Sequence, residues 1–201
     1  MAGKVTKEIL FDPRVQFDAD ALGIISHVKE FSVNALLGAI GQWMGQRGVE
    51  LLDSSTFLQG NLCPVGPMTQ RGPTASERED IRVGVQVARA IAALDIGQTV
   101  VVKRRVIVAV EALEGTDATI RRAGQVAGAE CVVVKMASPK QDMRFDVPIL
   151  GLQTIETLAA VGATCMAVEA HTALLLNRAE LLRQANRAGL CLVGVDPSTI
   201  S

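Results

Sequence analysis

The 201-residue sequence lacks the excess of charge that several protein classes need. Its 20 Lys and Arg residues are offset by 21 Asp and Glu residues, which leaves a formal net charge of −1 and a pI near 6.1. Non-specific binding to nucleic acid or to an anionic membrane surface needs a basic footprint. The one tight basic run, residues 103–105, lies between two apolar segments, where a hairpin turn is expected. No nucleic-acid partner is therefore predicted.

The sequence also lacks the signatures of several common sites. Its four cysteines stand far apart without a Cys-x-x-Cys pair, which argues against zinc and a disulfide framework and predicts buried free thiols. No P-loop, dinucleotide-binding glycine fingerprint or H-E-x-x-H is present, so a nucleotide-dependent oxidoreductase is disfavoured. His27 and His171 have no partner at ligand spacing. Because no signal peptide and no apolar run of spanning length occur, we predict a cytoplasmic protein.

Composition and pattern favour a globular α/β fold instead. Hydrophobic residues make up 49% and charged residues 20% of the chain, which is typical of a domain with a substantial core. Capping boxes at residues 74–77 and 177–180 predict two helix starts, and alternating helical and strand-like segments indicate α/β. The predicted helices cover residues 18–46, 74–93, 117–127, 152–161 and 177–188. The predicted strands cover residues 49–52, 99–103, 106–110, 131–136, 146–150, 165–169, 173–176 and 191–195.

Residues 111–148 are the stretch on which the functional interpretation depends. A polar loop leads into a helix that Thr116 or Asp117 is expected to cap, and a buried strand and a second polar loop follow. This order predicts that the strands before and after the helix are neighbours, with both loops near the sheet. The helix N-terminus at Gly115 also offers free N–H groups to a phosphate. Capping is favoured over phosphate binding, although the two roles are compatible.

The second loop, residues 138–148, carries interleaved cations and carboxylates. Lys140 and Arg144 have the charge to neutralise phosphate oxygens, and Asp142 or Asp146 has the chemistry to hold Mg²⁺ or orient a water molecule. The competing interpretation is a solvated loop whose local ion pairs contribute little. Three further carboxylates are weaker candidates, two of them near strand ends: Glu111, Glu114 and Glu169.

Three motifs carry a family resemblance. The runs A-V-E-A-L-E-G-T-D (residues 109–117), K-x-x-S-P-K-Q-D-M-R-F-D-V-P (residues 135–148) and A-V-E-A (residues 167–170) resemble the LpxI-type UDP-2,3-diacylglucosamine pyrophosphatases. Shorter stretches extend the resemblance over nearly the whole chain: residues 2–5, 50–58, 69–74 and 95–102.

This resemblance implies a Mg²⁺-dependent hydrolysis of UDP-2,3-diacylglucosamine to UMP and 2,3-diacylglucosamine 1-phosphate (lipid X), a step of lipid A biosynthesis in Gram-negative bacteria. It implies two α/β domains with the lipid between them. The essential aspartate then matches Asp146, with Asp142 and Asp117 as competitors, and Asp146 and Asp142 become the candidate metal ligands. The implied substrate contacts are Gly115, Thr116, Lys140, Gln141 and Arg144. A homodimer and transient contact with the inner-membrane surface are left open.

The sequence departs from the family in two ways. Family chains begin earlier, so we expect residues 1–70 to be the C-terminal part of a Rossmann-like domain with a linker, and residues 71–201 to be the complete catalytic α/β domain. His171 stands where the family more often has glycine. Turnover by the shortened chain is left open, and the alternative is a non-catalytic lipid- or nucleotide-binding α/β module. The apolar loop over residues 57–68 is expected to be interdomain packing in preference to an acyl-chain wall.

Overall fold

A computed structural model of the chain shows the fold. It describes residues 16, 18–26, 28, 33–139, 142–144 and 147–200. Two helices, α1 (Ala19–Ser26) and α2 (Val33–Gly45), pack against each other in the first part of the chain. They lie within the helix predicted over residues 18–46, and His27 lies outside the described residues. No helix in these ranges is both long enough and apolar enough to cross a membrane.

The centre of the fold is a mixed sheet. Its strands, with those of a small second sheet, are β1 (Gly66–Pro67), β2 (Thr99–Lys103), β3 (Val106–Val110), β4 (Val132–Lys135), β5 (Ile149–Leu150), β6 (Cys165–Glu169), β7 (Leu174–Leu175) and β8 (Cys191–Val195). The main sheet has the order β1-β8-β6-β4-β2-β3, and β5 pairs with β7. Strands β4, β6 and β8 are parallel, whereas β2 is antiparallel to both β3 and β4. Strand β3 therefore runs in the same direction as β4, β6 and β8.

Helices cover both faces of this sheet. They are α3 (Ala75–Ala93), α4 (Thr116–Ala127), α5 (Leu152–Ala160) and α6 (Arg178–Arg187). On one face, Val85 of α3 shares a buried cluster with Val100 and Val134. On the other, Ile120 of α4 packs with Val101 and Val133, together with α5 and α6. Successive strand residues thus point to opposite apolar layers. The predicted α/β class is confirmed.

Local signals predicted several elements well. Helix α3 begins after Thr74, and Glu77 completes the predicted capping box. The β2–β3 hairpin has the predicted bounds, and its turn residues Arg104 and Arg105 have positive φ angles of 52° and 65°. The four cysteines are buried and free, as predicted: Cys63, Cys131, Cys165 and Cys191. Short-range chemistry decides each of these features, which is why sequence alone found them.

Other predictions were wrong. Residues 49–52, all within the described part, form no strand. Asn177 precedes α6 in a left-handed conformation without a side-chain cap, and the Glu180 carboxylate binds Arg183 and Gln184 instead of completing a capping box. The strands on either side of α4 are not neighbours, since β2 lies between β3 and β4. The β2–β3 hairpin leaves β3 at the outside of the sheet and gives the inner position to β2.

Candidate functional site

Polar residues collect along one edge of the main sheet. Strands β3, β4, β6 and β8 all end there because they run in the same direction. Glu111 follows β3, Lys135 ends β4, Glu169 ends β6 and Asp196 follows β8. Open α/β sheets bind ligands in crevices outside the carboxyl ends of their strands. We call these four residues and the N-terminus of α4 the carboxyl edge, and they form the candidate site.

Thr116, the first residue of α4, is the centre of a hydrogen-bond network at the carboxyl edge. The Lys135 ammonium donates to its hydroxyl oxygen at 2.7 Å, and the hydroxyl donates to Glu111 Oε1 at 3.1 Å. The hydroxyl of Thr99, the first residue of β2, lies 3.2 Å from the Thr116 hydroxyl oxygen. The network therefore joins the ends of β2, β3 and β4 to the first turn of α4.

The N-terminus of α4 corrects the capping prediction. The N-cap position is Gly115, and no side chain of the described residues caps the helix. The φ angle of Gly115 is 84°, a region that favours glycine. Thr116 lies inside the helix and uses its hydroxyl in the network, while Asp117 Oδ1 accepts a hydrogen bond from Thr154 Oγ1 of α5 at 2.9 Å. The first-turn N–H groups and the positive end of the helix dipole are thus left beside Lys135.

Glu169 lies where β6 meets the start of the second loop. Its Oε2 accepts a hydrogen bond from the Ala137 N–H at 2.9 Å. Burial raises the pKa of Glu169, and the neighbouring Asp196 raises it further, although the Ala137 N–H and Arg89 oppose this shift. A carboxyl group with a raised pKa at the carboxyl edge is a functional candidate. The third weak candidate, Glu114, instead forms an ion pair with Arg122 of α4 at 2.6 Å.

The second loop is described at residues 138–139, 142–144 and 147–148. Arg144 Nε lies 2.9 Å from Asp142 Oδ1 and Arg144 Nη2 lies 2.6 Å from Oδ2, and these bonds lower the pKa of Asp142. Both carboxylate oxygens therefore bind Arg144. The loop also contacts residues 53–58, since Ser54 donates hydrogen bonds to the carbonyl oxygens of Met143 and Arg144 at 3.0 and 2.9 Å.

Three predicted site residues, Lys140, Gln141 and Asp146, lie outside the described residues. Their roles stay predictions. In the described ranges, no group of three His, Cys, Asp or Glu side chains is arranged to hold a metal ion. His171, which departs from the family pattern, is exposed with a φ angle of 64°, and its N–H donates to the Cys63 carbonyl oxygen at 2.8 Å.

Sequence reasoning missed Lys135, which it treated only as the first letter of a motif. The structure places this half-buried lysine at the end of a buried strand. No carboxylate of the described residues lies within 4.0 Å of the Lys135 ammonium, the distance at which the two would form an ion pair. The available signal was a lysine that ends a β-branched apolar run, because a cation at that position must reach the sheet edge or be paired.

Comparison with known proteins covers the same region. A family model described as the LpxI C-terminal domain matches residues 64–193, which include the whole carboxyl edge apart from Asp196. The chain is also 33% identical over 172 residues to a protein of Caulobacter vibrioides named UDP-2,3-diacylglucosamine pyrophosphatase LpxI. That alignment covers 82% of this chain and 61% of the relative, so the chain spans less than two thirds of the relative's length. Since the family model matches well over half of its residues, the chain belongs to the LpxI family.

Proposed function

We propose that this protein hydrolyses the diphosphate of UDP-2,3-diacylglucosamine to UMP and 2,3-diacylglucosamine 1-phosphate, as a step of lipid A biosynthesis. Water supplies the oxygen that one phosphorus gains, and the bridging P–O bond breaks. Family membership supports a role of this kind, and the name of the Caulobacter vibrioides relative supports the substrate.

The observation that carries the proposal is the contact between Lys135 and Thr116 at the N-terminus of α4, which no side chain in the described part of the chain caps. A diphosphate needs positive charge and hydrogen-bond donors. The Lys135 ammonium supplies the charge, and the first turn of α4 supplies backbone N–H groups and the positive end of its dipole. Lys135 has no carboxylate partner in the described residues, so its charge is not already neutralised there.

We assign the remaining roles as follows. Asp146 orients the attacking water, and Lys140, Gln141 and Arg144 contact the phosphates. Arg144 would have to leave Asp142 to do so, since the two side chains are bonded to each other. Asp117 is a weaker catalytic candidate, because Thr154 already holds one of its oxygens.

Mg²⁺ is the proposed cofactor, with Asp142 and Asp146 as its ligands. Carboxylate oxygens suit this ion, which would neutralise charge on the phosphates. The fit is incomplete in the described residues, because Arg144 occupies both oxygens of Asp142. Asp142 would therefore bind the ion only after Arg144 had moved away from its carboxylate.

The direct test is an assay of UMP release from UDP-2,3-diacylglucosamine, with Mg²⁺ and then with EDTA. We expect turnover that EDTA abolishes and that Asp146→Ala lowers by at least about 100-fold, as is usual when a group that acts on the reacting atoms is removed. The control is Glu180→Gln, which changes a partly exposed carboxylate on α6 that pairs with Arg183. An Asp146→Ala protein as active as the wild type would rule out that assignment.

The same assay separates the second candidate function, a lipid- or nucleotide-binding module without catalysis. This alternative is motivated by the alignment, which covers 61% of the relative, since catalytic groups can lie in the part of the relative that is not aligned. Calorimetric binding of UMP or lipid X, together with no metal-dependent turnover, would favour this alternative. A homodimer, contact with the inner-membrane surface and the domain boundary at residues 70 and 71 stay predictions.

A further inference from the structure

Glu111 is a buried carboxylate that two hydrogen bonds, both made by the Thr116 hydroxyl, connect to the Lys135 ammonium. Its side chain Oε1 accepts from the Thr116 hydroxyl at 3.1 Å, and its Oε2 accepts from the Gln98 N–H at 3.2 Å. The residue is only 8% exposed, and no Lys or Arg of the described residues forms an ion pair with it. A buried carboxylate is costly unless its hydrogen bonds are made. Both oxygens of Glu111 therefore depend on these two neutral donors.

The backbone before β2 positions one of those donors, the Gln98 N–H. A Cβ atom on Gly97 would lie 2.2 Å from the Glu111 carbonyl oxygen, so only glycine permits this approach. The Gln98 carbonyl accepts from the Met136 N–H at 2.9 Å, while the Gln98 N–H donates to the Glu111 carboxylate. This segment is thus held between the ends of β3 and β4, which fixes the position of the carboxylate.

The second donor determines how the network is polarised. The Thr116 hydroxyl has a single proton, and the Glu111 carboxylate can only accept, so that proton lies between them. The Thr116 oxygen then presents its lone pairs to the Lys135 ammonium, which can only donate, and to the Thr99 hydroxyl. A glutamine at position 111 has one acceptor oxygen for these two donors. The Gln98 N–H cannot rotate, so it takes the amide oxygen, and the amide NH2 then donates to the Thr116 oxygen. The hydroxyl proton is no longer held away from Lys135, and the acceptor for the ammonium is lost.

We propose that Glu111 is a positioning residue, which orients the Thr116 hydroxyl so that it holds the Lys135 ammonium at the N-terminus of α4. Because Glu111 acts through a neutral hydroxyl, it orients the lysine without pairing with it directly. The charge of Lys135 is then kept for an anion. The inference rests on the proposed function, since it assumes that the anion is the diphosphate of the substrate.

The first test measures hydrogen exchange of the lysine ammonium groups in ¹⁵N-labelled protein by NMR, without any substrate. We expect a protected Lys135 resonance that Glu111→Gln and Thr116→Val make exchange about tenfold faster, as loss of one hydrogen bond predicts. Thr116→Ser keeps the hydroxyl and should keep the protection. An unprotected Lys135 in the wild type, or unchanged exchange in Glu111→Gln, would overturn the inference.

Asp80→Asn is the matched control. Asp80 is also a buried carboxylate, 4% exposed, and it accepts from two backbone N–H groups, those of Arg104 and Arg105. It lies at the other end of β2 from Thr99. We expect Asp80→Asn to lower the melting temperature but to leave the exchange of Lys135 unchanged. This result separates positioning from a general loss of stability.

The second test is kinetic. Glu111→Gln should lower kcat/KM for UDP-2,3-diacylglucosamine about tenfold, and combining it with Thr116→Val should cost no more than Thr116→Val alone, because both changes break one chain of contacts. Full additivity of the two losses, or unchanged kcat/KM in Glu111→Gln, would overturn the inference. A wild-type protein without turnover would contradict the proposed function, and the exchange measurement alone would then decide the role of Glu111.

Discussion

Charged side chains at the two ends of the parallel strands differ in how fully they are paired within the protein. At the amino ends, which we call the opposite edge, Arg71 binds Glu77 through two bonds of 2.9 Å and also donates to the carbonyl oxygens of Thr164 and Gly189. Lys103 donates to the carbonyl oxygens of Ala127 and Ala129 at 2.8 and 2.7 Å. These cations are occupied by the protein itself.

The carboxyl edge is less complete. Among the described residues, Lys135 makes one hydrogen bond, to a neutral hydroxyl, and no side chain caps the start of α4. The pKa of Glu169 is raised mainly by burial. Such unmet interactions cost stability, and a bound ligand can supply the missing partners. This difference supports the proposal that the carboxyl edge binds the ligand, whereas the opposite edge stabilises the fold.

The largest effect is expected when Lys135 of the carboxyl edge is replaced by methionine and compared with the same replacement of Lys103 at the opposite edge. Lys135→Met should lower kcat/KM for UDP-2,3-diacylglucosamine by about 100-fold or more, because the charge proposed to contact the diphosphate is lost. Lys103→Met should leave kcat/KM unchanged and cost on the order of 1–3 kcal/mol of unfolding free energy, through the two carbonyl oxygens it abandons. Steady-state kinetics and urea denaturation of both variants test this. Equal kinetic losses would remove the distinction between the edges.

The Arg71–Glu77 pair should dominate the acid sensitivity of the opposite edge. Burial acts to raise the pKa of Glu77, but the hydrogen bonds from Arg71, Thr74 and Thr164 outweigh it and lower the pKa to about 2. A lowered pKa contributes stability above the unfolded value, near 4.5, which is lost as the pH falls towards 2. Glu77→Gln should therefore cost on the order of 2–3 kcal/mol at pH 7.

Urea denaturation at pH 7 and at pH 3 measures this difference. Glutamine can keep the capping-box contact to the Thr74 N–H, so the variant isolates the charge. The deficit of Glu77→Gln should shrink at pH 3, while its kcat/KM at pH 7 should equal that of the wild type. A deficit that is independent of pH would show that packing, and not the ion pair, stabilises this edge.

A smaller effect on stability is expected at the hydrogen bond between Thr154 of α5 and Asp117 of α4. Thr154→Val removes the hydrogen bond to Asp117 and should cost about 1 kcal/mol of unfolding free energy. If Asp117 only ties the helices together, kcat/KM should remain close to the wild-type value. A large kinetic loss in Thr154→Val, with normal stability, would instead return Asp117 to the list of catalytic candidates.

The smallest effect concerns Glu169. Because its pKa is raised, the folded protein binds this proton more tightly than the unfolded chain does, so the group contributes stability at low pH that is lost as the pH rises. Glu169→Gln keeps an acceptor for the Ala137 N–H without the buried charge. We expect a slight increase in melting temperature at pH 7 and none at pH 4. A decrease at pH 7 would show that the charged form is the stabilising one.

Sequence reasoning succeeded where neighbouring residues decide the structure. The capping box of Thr74 and Glu77 spans four residues, and the β2–β3 turn needs only two residues between two apolar runs. It failed where a distant partner competes for the same side chain. Thr116 was expected to cap α4, but Lys135 and Glu111 take up its hydroxyl.

The sequence by itself determined the α/β class, the position of most helices and strands, and the family motifs. Periodicity, caps and motif letters are local properties, so they can be read without knowing which strands pair. Only the tertiary structure decided that β2 separates β3 from β4 and that Lys135 meets Thr116, 19 residues away in the chain. Strand order is set by the burial of both sheet faces at once. No single segment of the sequence contains that information.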